Sequence, residues 1–298
     1  MKVFVTGATG QLGYDVAAES MKRKHQAIGT GRRDAAPAGM EDSYVQLDIT
    51  DAEAVGNTIK ALEPDAIIHC AAWTAVDAAE DEANREKVDR INRLGTRYIA
   101  DAAKAVDAKM IYISTDYVFD GQGDRPWKPD DTCFAPLNVY GRSKLEGERE
   151  VRRILDRFFI VRTAWVFGLS GSNFVRTMIN AGKSHDSVRV VNDQIGTPTY
   201  TRDLARLLVD MAETEKYGCY HATNEGGYVS WYDFCCEIYR QYGSNTAVIP
   251  VTTAEYGLSV AARPANSRLD RSKLAEMGFD PLPPWQDAVS RYLREAKL

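Results

Sequence analysis

The stretch Thr6–Gly13 reads TGATGQLG and follows an apolar run, Lys2–Thr6, that has the composition of a buried strand. An amphipathic segment with helical spacing comes directly after it. In this strand–turn–helix setting, glycine permits a tight turn at Gly7, a close approach of backbone to a diphosphate at Gly10, and close helix–strand packing at Gly13. The first turn of the helix then directs its free N–H groups toward the phosphates. The stretch therefore predicts a dinucleotide-binding βαβ unit.

Outward from this stretch, the first half of the chain alternates β-rich runs with longer amphipathic ones. The predicted strands are Lys2–Thr6, Gln26–Gly29, Tyr44–Leu47, Ala66–Cys70, Met110–Ser114 and Phe158–Val161. The predicted helices are Leu12–Lys22, Ala52–Leu62, Ala75–Val106 and 138–154. Such alternation is typical of a parallel sheet that is covered by helices on both faces and binds ligands at its carboxyl edge.

Beyond about Trp165 the pattern becomes shorter and more mixed. It predicts a strand at Val188–Val191 and helices at Asn173–Ala181, Thr201–Glu213, Trp231–Tyr242 and Trp285–Lys297. We therefore expect an α/β fold, a Rossmann-like doubly wound parallel sheet with a smaller C-terminal α/β substrate-binding lobe. Residues 1–165 form the NAD(P)-binding domain in this prediction and residues 166–298 mainly the lobe. The two are expected to interlock, with some segments of the second returning to the first.

The composition is that of a globular protein, with 44% hydrophobic and 27% charged residues among 298. A net charge of -5 argues against a general nucleic-acid binder, which needs a basic face to neutralise phosphates. The chain has no long apolar span or leader-like segment, so we expect a cytoplasmic protein without membrane association. A monomer and a homodimer are both compatible with the sequence.

The metal-ligating residue types show no ligand spacing. The five cysteines are scattered and form no CxxC pair, so neither a disulfide framework nor a zinc site is indicated. Three histidines, His69, His185 and His221, are far apart in sequence. We therefore predict no metal site, and we expect His69, in an apolar strand, to be a core residue.

The end of the second predicted strand bears on the choice of dinucleotide. An Asp or Glu at this position would hold the ribose 2′-OH of NAD, but Gly29–Arg33 reads GTGRR. The guanidinium groups of Arg32 and Arg33 suit a 2′-phosphate, which predicts NADPH. The neighbouring Asp34 keeps NADH possible, and the arginines can also be solvated surface charges. Asp48, after the third strand, is placed either to bind the adenine amino group or to cap the helix that follows Thr50.

Tyr140 and Lys144 are four residues apart on a predicted helix, so both lie on one face, one turn apart. A nearby ammonium stabilises a phenolate, and we expect Lys144 to lower the pKa of Tyr140 and make it a usable acid. A YxxxK spacing alone is a weak signal in a chain with 15 tyrosines. It gains weight because Thr115 ends a strand at the carboxyl edge, where its hydroxyl can bind the same carbonyl oxygen.

These residues lie in longer stretches that resemble one family. Ser114–Gly121 reads STDYVFDG and Pro136–Lys144 reads PLNVYGRSK. With the glycine loop they make the chain similar to the extended short-chain dehydrogenases/reductases and, within these, to the dTDP-4-dehydrorhamnose reductases. The similarity runs nearly end to end, through Ala71–Asp77, Arg162–Gly168, Asn173–Phe174, Asp193–Thr199 and Arg263–Pro264.

The resemblance implies roles for particular residues. Thr115, Tyr140 and Lys144 would be the catalytic triad. The cofactor would be bound by Gly7, Thr9, Gly10, Gln11, Leu12, Gly13, Arg32, Arg33, Asp48, Ile49, Ala71, Ala72 and Asn92. The substrate, a small-molecule sugar nucleotide, would be bound by Asp116, Tyr117, Trp165, Asn173 and Arg263. The aromatic face of Trp165 can pack on a sugar ring, although a core tryptophan is the plainer interpretation, and Arg263 can pair with the diphosphate or be a surface arginine.

The implied reaction is transfer of hydride from NADPH to the C4 ketone of dTDP-4-dehydro-6-deoxy-L-mannose, which gives dTDP-L-rhamnose. Tyr140 would supply the proton. Related 4,6-dehydratases carry a Glu where this chain has Tyr117, which argues against an elimination. Two alternatives stay open. One is a non-catalytic NADP-binding protein similar to the regulatory subunit of methionine adenosyltransferase, and the other is a reductase of another 4-keto sugar nucleotide or a plant-type bifunctional epimerase/reductase.

Overall fold

The computed structural model describes residues 1–298 and contains a central sheet of seven parallel strands. The order across the sheet is β11-β6-β5-β4-β1-β2-β3. The bounds are β1 Lys2–Thr6, β2 Gln26–Gly31, β3 Tyr44–Gln46, β4 Ala66–His69, β5 Lys109–Thr115, β6 Phe158–Thr163 and β11 Gly218–His221. The chain proceeds from β1 to β2 and β3 in one direction, and from β4 to β5 and β6 in the other. The strand order therefore reverses between β1 and β4, which places a crevice at their carboxyl ends. The prediction of a Rossmann-like parallel sheet is confirmed.

Helices cover both faces of this sheet. The longer ones are α1 Gln11–Lys22, α2 Ala52–Leu62, α5 Thr96–Ala105, α6 Val139–Ile154 and α8 Thr201–Ala212. Helices α1 and α8 pack together on one face, where Val3 and Val5 of β1 are fully buried. Helices α2, α5 and α6 cover the other face, where Phe4 is fully buried. The alternation of side chains along β1 therefore divides the apolar core into two layers.

The second half of the chain builds a smaller α/β part with its own core. Three two-stranded sheets form from β7 Val166–Phe167 with β10 Thr199–Tyr200, β9 Ile195–Gly196 with β12 Val229–Ser230, and β8 Ser187–Val191 with β13 Ala247–Val251. The helices are α7 Phe174–Gly182, α9 Trp231–Tyr242, α10 Thr253–Tyr256, α11 Ser272–Glu276 and α12 Trp285–Glu295. None of the helices of the chain is both long enough and apolar enough to cross a bilayer.

The two halves share the central sheet. Strand β11 pairs in parallel with β6 at the edge of the sheet, and α8 packs on α1, although both follow residue 166 in sequence. The division of the chain at residue 165 stays a prediction. Residues 201–221 nevertheless lie in the layers of the large sheet.

The single long helix predicted for Ala75–Val106 is wrong. The chain forms α3 Val76–Ala79, α4 Glu82–Asp89, a π-helical segment Arg90–Gly95 and then α5. Asp81 interrupts the pattern because it adopts an extended conformation and accepts a hydrogen bond from the N–H of Ala83, as a helix N-cap does. The strands β7, β9, β10 and β12 escape periodicity analysis because each has only two residues.

A fully buried ion pair ties α6 to the sheet. Arg162 on β6 and Glu148 on α6 have side chains that are 0% and 1% exposed, and Nη2 lies 2.7 Å from Oε2. Nε of Arg162 donates to Oε1 of Glu148 at 2.8 Å, and the hydroxyl of Ser114 on β5 donates to the same oxygen at 2.6 Å. The arginine also donates to the carbonyl of Pro129 at 3.2 Å. This bidentate arrangement satisfies both oxygens of the carboxylate.

Replacement of Glu148 by Gln is expected to lower the free energy of unfolding by about 3 kcal/mol, because the guanidinium of Arg162 stays buried without its countercharge. Urea denaturation followed by circular dichroism measures the change. The control is Glu146→Gln on the same helix, whose partner Arg149 is exposed, and it should stay within about 0.5 kcal/mol of the wild type. Equal stability of the two variants would contradict this assignment of the buried pair.

Candidate active site

A cleft of about 730 Å³ opens at the carboxyl edge of the central sheet. It is lined by residues that follow β1, β2, β3, β4, β5 and β6, and by residues of α6 and the second half of the chain. Most of the predicted site residues line it: Gly7, Thr9, Gly10, Gln11, Leu12, Gly13, Arg32, Asp48, Ile49, Ala71, Ala72, Thr115, Asp116, Tyr117, Tyr140, Lys144 and Trp165. Four predicted residues do not line it: Arg33, Asn92, Asn173 and Arg263.

The glycine loop has the geometry of an anion-binding turn. Gly7 has φ of +71°, and a Cβ at Gly13 would lie 2.2 Å from the carbonyl oxygen of Gly7, so a larger residue would push helix α1 off the strand. Gly10 is the N-cap of α1 and provides no side-chain cap. The N–H groups of the first turn therefore stay available to a phosphate, as the N-terminus of a dinucleotide-binding helix requires. These residues fit a dinucleotide.

The end of β2 separates the two arginines. Both side chains are exposed, but Arg32 lines the cleft and Arg33 does not. Two side chains of β3 hold the backbone of these residues in place. Nε2 of Gln46 donates to the carbonyl of Arg32 at 3.0 Å, and the hydroxyl of Tyr44 donates to the carbonyl of Arg33 at 2.7 Å. Of the two arginines, only Arg32 therefore belongs to the lining of the cleft.

Asp48 lines the cleft and does not cap helix α2. Its Oδ1 accepts hydrogen bonds from the N–H and the hydroxyl of Thr50, at 2.9 and 2.8 Å. The N-cap of α2 is Asp51, which accepts from the N–H of Ala54 at 3.0 Å. The alternative that Asp48 caps this helix is therefore wrong.

Helix α6 presents Tyr140 and Lys144 to the cleft. The helix begins at Val139 after the N-cap Asn138, which accepts from the N–H of Gly141 at 2.7 Å. A Cβ at Gly141 would lie 2.3 Å from the carbonyl oxygen of Tyr117, so glycine lets the first turn approach the end of β5 closely. The ring of Tyr117 packs edge-on against that of Tyr140, with 5.8 Å between the ring centres.

Burial dominates the electrostatics of this pair. It raises the pKa of Tyr140, an effect that Asp116 adds to and a hydrogen bond with Thr115 opposes. Burial lowers the pKa of Lys144 to about 7, while the carboxylate of Glu148 partly opposes the shift. The Nζ atom of Lys144 lies 4.1 Å from the centre of the Tyr112 ring. The expectation that the ammonium lowers the pKa of Tyr140 is therefore wrong: desolvation raises this pKa, and Lys144 is not among the groups that shift it.

Asn92 supports the cleft from behind. Its side chain is 1% exposed, accepts from the N–H of Trp73 at 2.8 Å, and donates to the carbonyl of Trp73 at 3.1 Å and to the hydroxyl of Ser143 at 2.8 Å. It therefore holds the loop after β4 against helix α6 and does not reach the cleft itself. Asn92 was predicted to contact a cofactor directly, but it is not among the residues that line the cleft.

Two predicted substrate residues are engaged elsewhere. Asn173 is the N-cap of α7, and its Nδ2 donates to the carbonyl of Gly168 at 2.7 Å and to Oε1 of Gln11 at 3.3 Å. Arg263 forms a bidentate pair with Asp77, with Nη–Oδ distances of 2.6 and 3.0 Å. Asp77 follows directly after residues that line the cleft, so Arg263 lies at its rim.

Trp165 lies in the cleft in a conformation that non-glycine residues rarely adopt, with φ of +51°. Its indole stacks on that of Trp231, with 3.7 Å between the ring centres and 15° between the planes. A Cβ at Gly196 would lie 2.8 Å from the same indole. Neighbours on two sides therefore hold the ring in place, which favours a positioned binding surface over an ordinary core tryptophan.

Sequence reasoning missed several lining residues, among them Gly31, Cys70, Trp73, Ser172 and Trp231. Gly31 lies two residues beyond the predicted strand Gln26–Gly29 and Trp73 three residues beyond Ala66–Cys70, and these positions could have drawn attention to them. Ser172 and Trp231 come from the second half of the chain, and no local pattern connects them with the cleft. No group of three or more His, Cys, Asp or Glu side chains in the chain has the arrangement of a metal site.

Comparison with known proteins places the chain in a family. Residues 1–298 match the family model described as the RmlD substrate binding domain. A dTDP-4-dehydrorhamnose reductase from Streptomyces griseus is 39% identical over 292 residues, which cover 96% of this chain and 91% of the relative.

Solved structures give the same result. A dTDP-4-dehydrorhamnose reductase from Clostridium acetobutylicum is 39% identical over the whole of both chains, with a TM-score of 0.91. Another from Bacillus anthracis, solved in complex with NADP, is 38% identical over 99% of both chains, with a TM-score of 0.89. The chain described here therefore belongs to the dTDP-4-dehydrorhamnose reductase family.

Proposed function

We propose that the protein reduces the C4 ketone of dTDP-4-dehydro-6-deoxy-L-mannose with NADPH and forms dTDP-L-rhamnose. The observation that carries the proposal is that Thr115, Tyr140 and Lys144 lie in the same cleft as the glycine loop. Full-length membership of the reductase family supports the same substrate. NADH is a possible second cofactor, since Asp34 adjoins the two arginines at the end of β2.

The residues of the cleft suit a dinucleotide in one orientation. The uncapped N-terminus of α1 receives the diphosphate, and Arg32 receives the 2′-phosphate of NADPH at the end of β2. Ala71 and Ala72 after β4 leave room along the cofactor because their side chains are small. The bound nicotinamide supplies hydride. Arg33 does not contact the cofactor in this arrangement, because its exposed side chain lies outside the cleft, and it acts on the phosphates only through long-range electrostatics.

The catalytic residues transfer one proton to the oxygen of the ketone. Tyr140 keeps its phenolic proton at neutral pH because burial raises its pKa, and it donates that proton to the oxygen of the reduced ketone. Thr115 binds the same oxygen through its hydroxyl and helps to orient the ketone. Lys144 holds a ligand hydroxyl near Tyr140, and its pKa of about 7 allows both of its protonation states near neutrality.

The sugar is expected to lie between Trp165 and the end of β5. Trp165 offers an aromatic surface for the apolar side of the ring, and Asp116 and Tyr117 line the same cleft. Arg263 at the rim can reach the diphosphate of the sugar nucleotide if Asp77 releases it. Tyr117 occupies the place at which an elimination would need a carboxylate base, which favours a reductase.

The direct test mixes the protein with NADPH and dTDP-4-dehydro-6-deoxy-L-mannose and follows loss of absorbance at the nicotinamide band. We expect substrate-dependent oxidation and formation of dTDP-L-rhamnose, identified by mass spectrometry. UDP- and GDP-linked 4-keto-6-deoxy sugars serve as controls for the base. Binding of NADPH without oxidation in any mixture would instead favour the non-catalytic binding protein.

Replacement of Tyr140 by Phe is expected to lower kcat by about 10²- to 10⁴-fold, because the variant cannot donate the proton. The dissociation constant for NADPH, measured by fluorescence titration, should stay nearly unchanged. Tyr98→Phe on α5, outside the cleft, is the matched control and should keep full turnover. Unchanged turnover of the Tyr140 variant would remove this residue from the mechanism.

Replacement of Arg32 by Ala is expected to weaken NADPH binding by about 10- to 100-fold through loss of charge-assisted hydrogen bonds, and to leave NADH binding nearly unchanged. Arg33→Ala is the matched control, since that side chain is exposed outside the cleft, and it should affect both cofactors little. Isothermal titration with both cofactors measures the difference. Equal weakening of NADPH and NADH by the Arg32 variant would show that it does not read the 2′-phosphate.

A further inference from the structure

Lys144 is a buried cation without an acidic partner. The residue is 3% exposed, and burial lowers its pKa to about 7. The carboxylate of Glu148, one turn further along α6, is already bound by Arg162 and by the hydroxyl of Ser114. The close contact that the fold provides for Nζ is instead with the ring of Tyr112, whose centre lies 4.1 Å away.

Tyr112 contacts both the backbone and the charged end of this lysine. Its side chain on β5 is fully buried, and Nζ lies over the ring at a distance typical of a cation–π interaction. The phenol hydroxyl donates to the carbonyl of Lys144 at 3.1 Å. An aromatic ring carries partial negative charge on its face. Tyr112 therefore supplies an attraction that a neighbouring carboxylate would otherwise supply.

The ring of Tyr112 is fixed by its other neighbours. His69 of β4 stacks on it, with 5.8 Å between the ring centres and 25° between the planes. The imidazole in turn forms hydrogen bonds with the hydroxyls of Thr6 at 2.7 Å and Thr96 at 3.1 Å. A Cβ at Gly147 would lie 2.2 Å from the phenol oxygen, so helix α6 lies directly on this group. These contacts restrict the ring to the position in which it faces Nζ.

The groups around this contact add no second positive charge to it. Burial, assisted by the charge of Lys144, lowers the pKa of His69 to about 3, so the imidazole is neutral near neutral pH. Burial raises the pKa of the Cys70 thiol to about 12 and keeps the neighbouring phenols protonated. The other titratable groups of this region are Asp116 and Tyr117 after β5, and Tyr140 and Glu148 on α6.

We propose that Tyr112 is a positioning residue of the active site, whose ring holds the ammonium of Lys144 at the cleft and stabilises its charged form. This inference rests on the proposed function, in which Lys144 binds a ligand hydroxyl near Tyr140. The ring covers one side of the ammonium, and Lys144 lines the cleft with the rest. A carboxylate in the same place would compete with the ligand for the N–H groups, whereas the ring stabilises the charge and leaves them available.

The first test is the pH dependence of kcat/KM. The ammonium is present below its pKa, so wild-type activity should fall as pH rises through about 7. Tyr112→Leu removes the aromatic face, which lowers the pKa of Lys144 and should move this fall about 1 pH unit lower. Tyr112→Phe keeps the ring and should keep the wild-type inflection. The matched control is Tyr220→Leu, which removes another fully buried tyrosine ring outside the cleft and should leave the inflection in place.

A graded series separates the charge of the ring from its size. Phenylalanine with one, two or three ring fluorines at position 112 fills nearly the same space as Tyr112→Phe, but each fluorine weakens the negative face of the ring. The inflection should therefore move to lower pH in order of the number of fluorines. A role of the ring in packing alone predicts no such order. An inflection that stays in place across the series would overturn the inference.

A second measurement does not depend on turnover. Carbon NMR of the lysine Cε atoms in the unliganded protein follows each ammonium directly, and the signal of Lys144 is the one that is lost in Lys144→Met. Its midpoint should lie near 7 in the wild type and in Tyr220→Leu, and about 1 pH unit lower in Tyr112→Leu. Failure of the wild type to oxidise NADPH would reject the proposed function, whereas this titration would still test the ring. An unchanged or higher midpoint in Tyr112→Leu would show that Tyr112 does not stabilise the charge.

Discussion

The buried ion pair between Arg162 and Glu148 sets the position of the helix on which the site depends. Tyr140, Lys144 and Glu148 follow one another at intervals of four residues, so they share one face of α6. Glu148 is fixed to β6 by the arginine and to β5 by the hydroxyl of Ser114. The next residue of β5 is Thr115. Anchoring one end of the helical face at the sheet therefore brings its other end to the carboxyl edge beside this threonine.

Close approach at glycines completes the arrangement. A Cβ at Gly147 would lie 2.2 Å from the hydroxyl of Tyr112, and one at Gly141 would lie 2.3 Å from the carbonyl of Tyr117. Helix α6 can therefore lie directly on the end of β5. Gly13 has the same role for α1 beside Gly7. The two helices converge on one edge of the sheet, so the dinucleotide end and the proton-transfer end form one cleft.

The second half of the chain closes this cleft from the other side. Gln11 at the start of α1 donates to the carbonyl of Ser172 at 3.2 Å and contacts Asn173, so the glycine loop is joined directly to the loop before α7. Trp231 at the start of α9 stacks on Trp165. Desolvation of the buried groups follows from this closure. It raises the pKa of Asp116 and Tyr140 and lowers that of Lys144, which gives the site three groups that exchange protons in different pH ranges.

The sequence by itself determined the features that depend on local spacing. The glycine loop, the strand–helix alternation and the four-residue interval between Tyr140 and Lys144 act over a few residues, and they indicated the parallel sheet and most of the residues that line the cleft. Breaks within helices were harder to predict from the sequence, because the interruption near Asp81 depends on one side-chain cap within a continuous amphipathic pattern.

Tertiary structure decided what depends on burial and on distant partners. It placed Arg32 but not Arg33 in the lining of the cleft, paired Arg263 with Asp77, and brought Trp231 to Trp165. It also reversed the expected shift in the pKa of Tyr140. The physical reason is that desolvation and long-range pairing are set by residues far apart in sequence, and neither periodicity nor spacing along the chain contains that information.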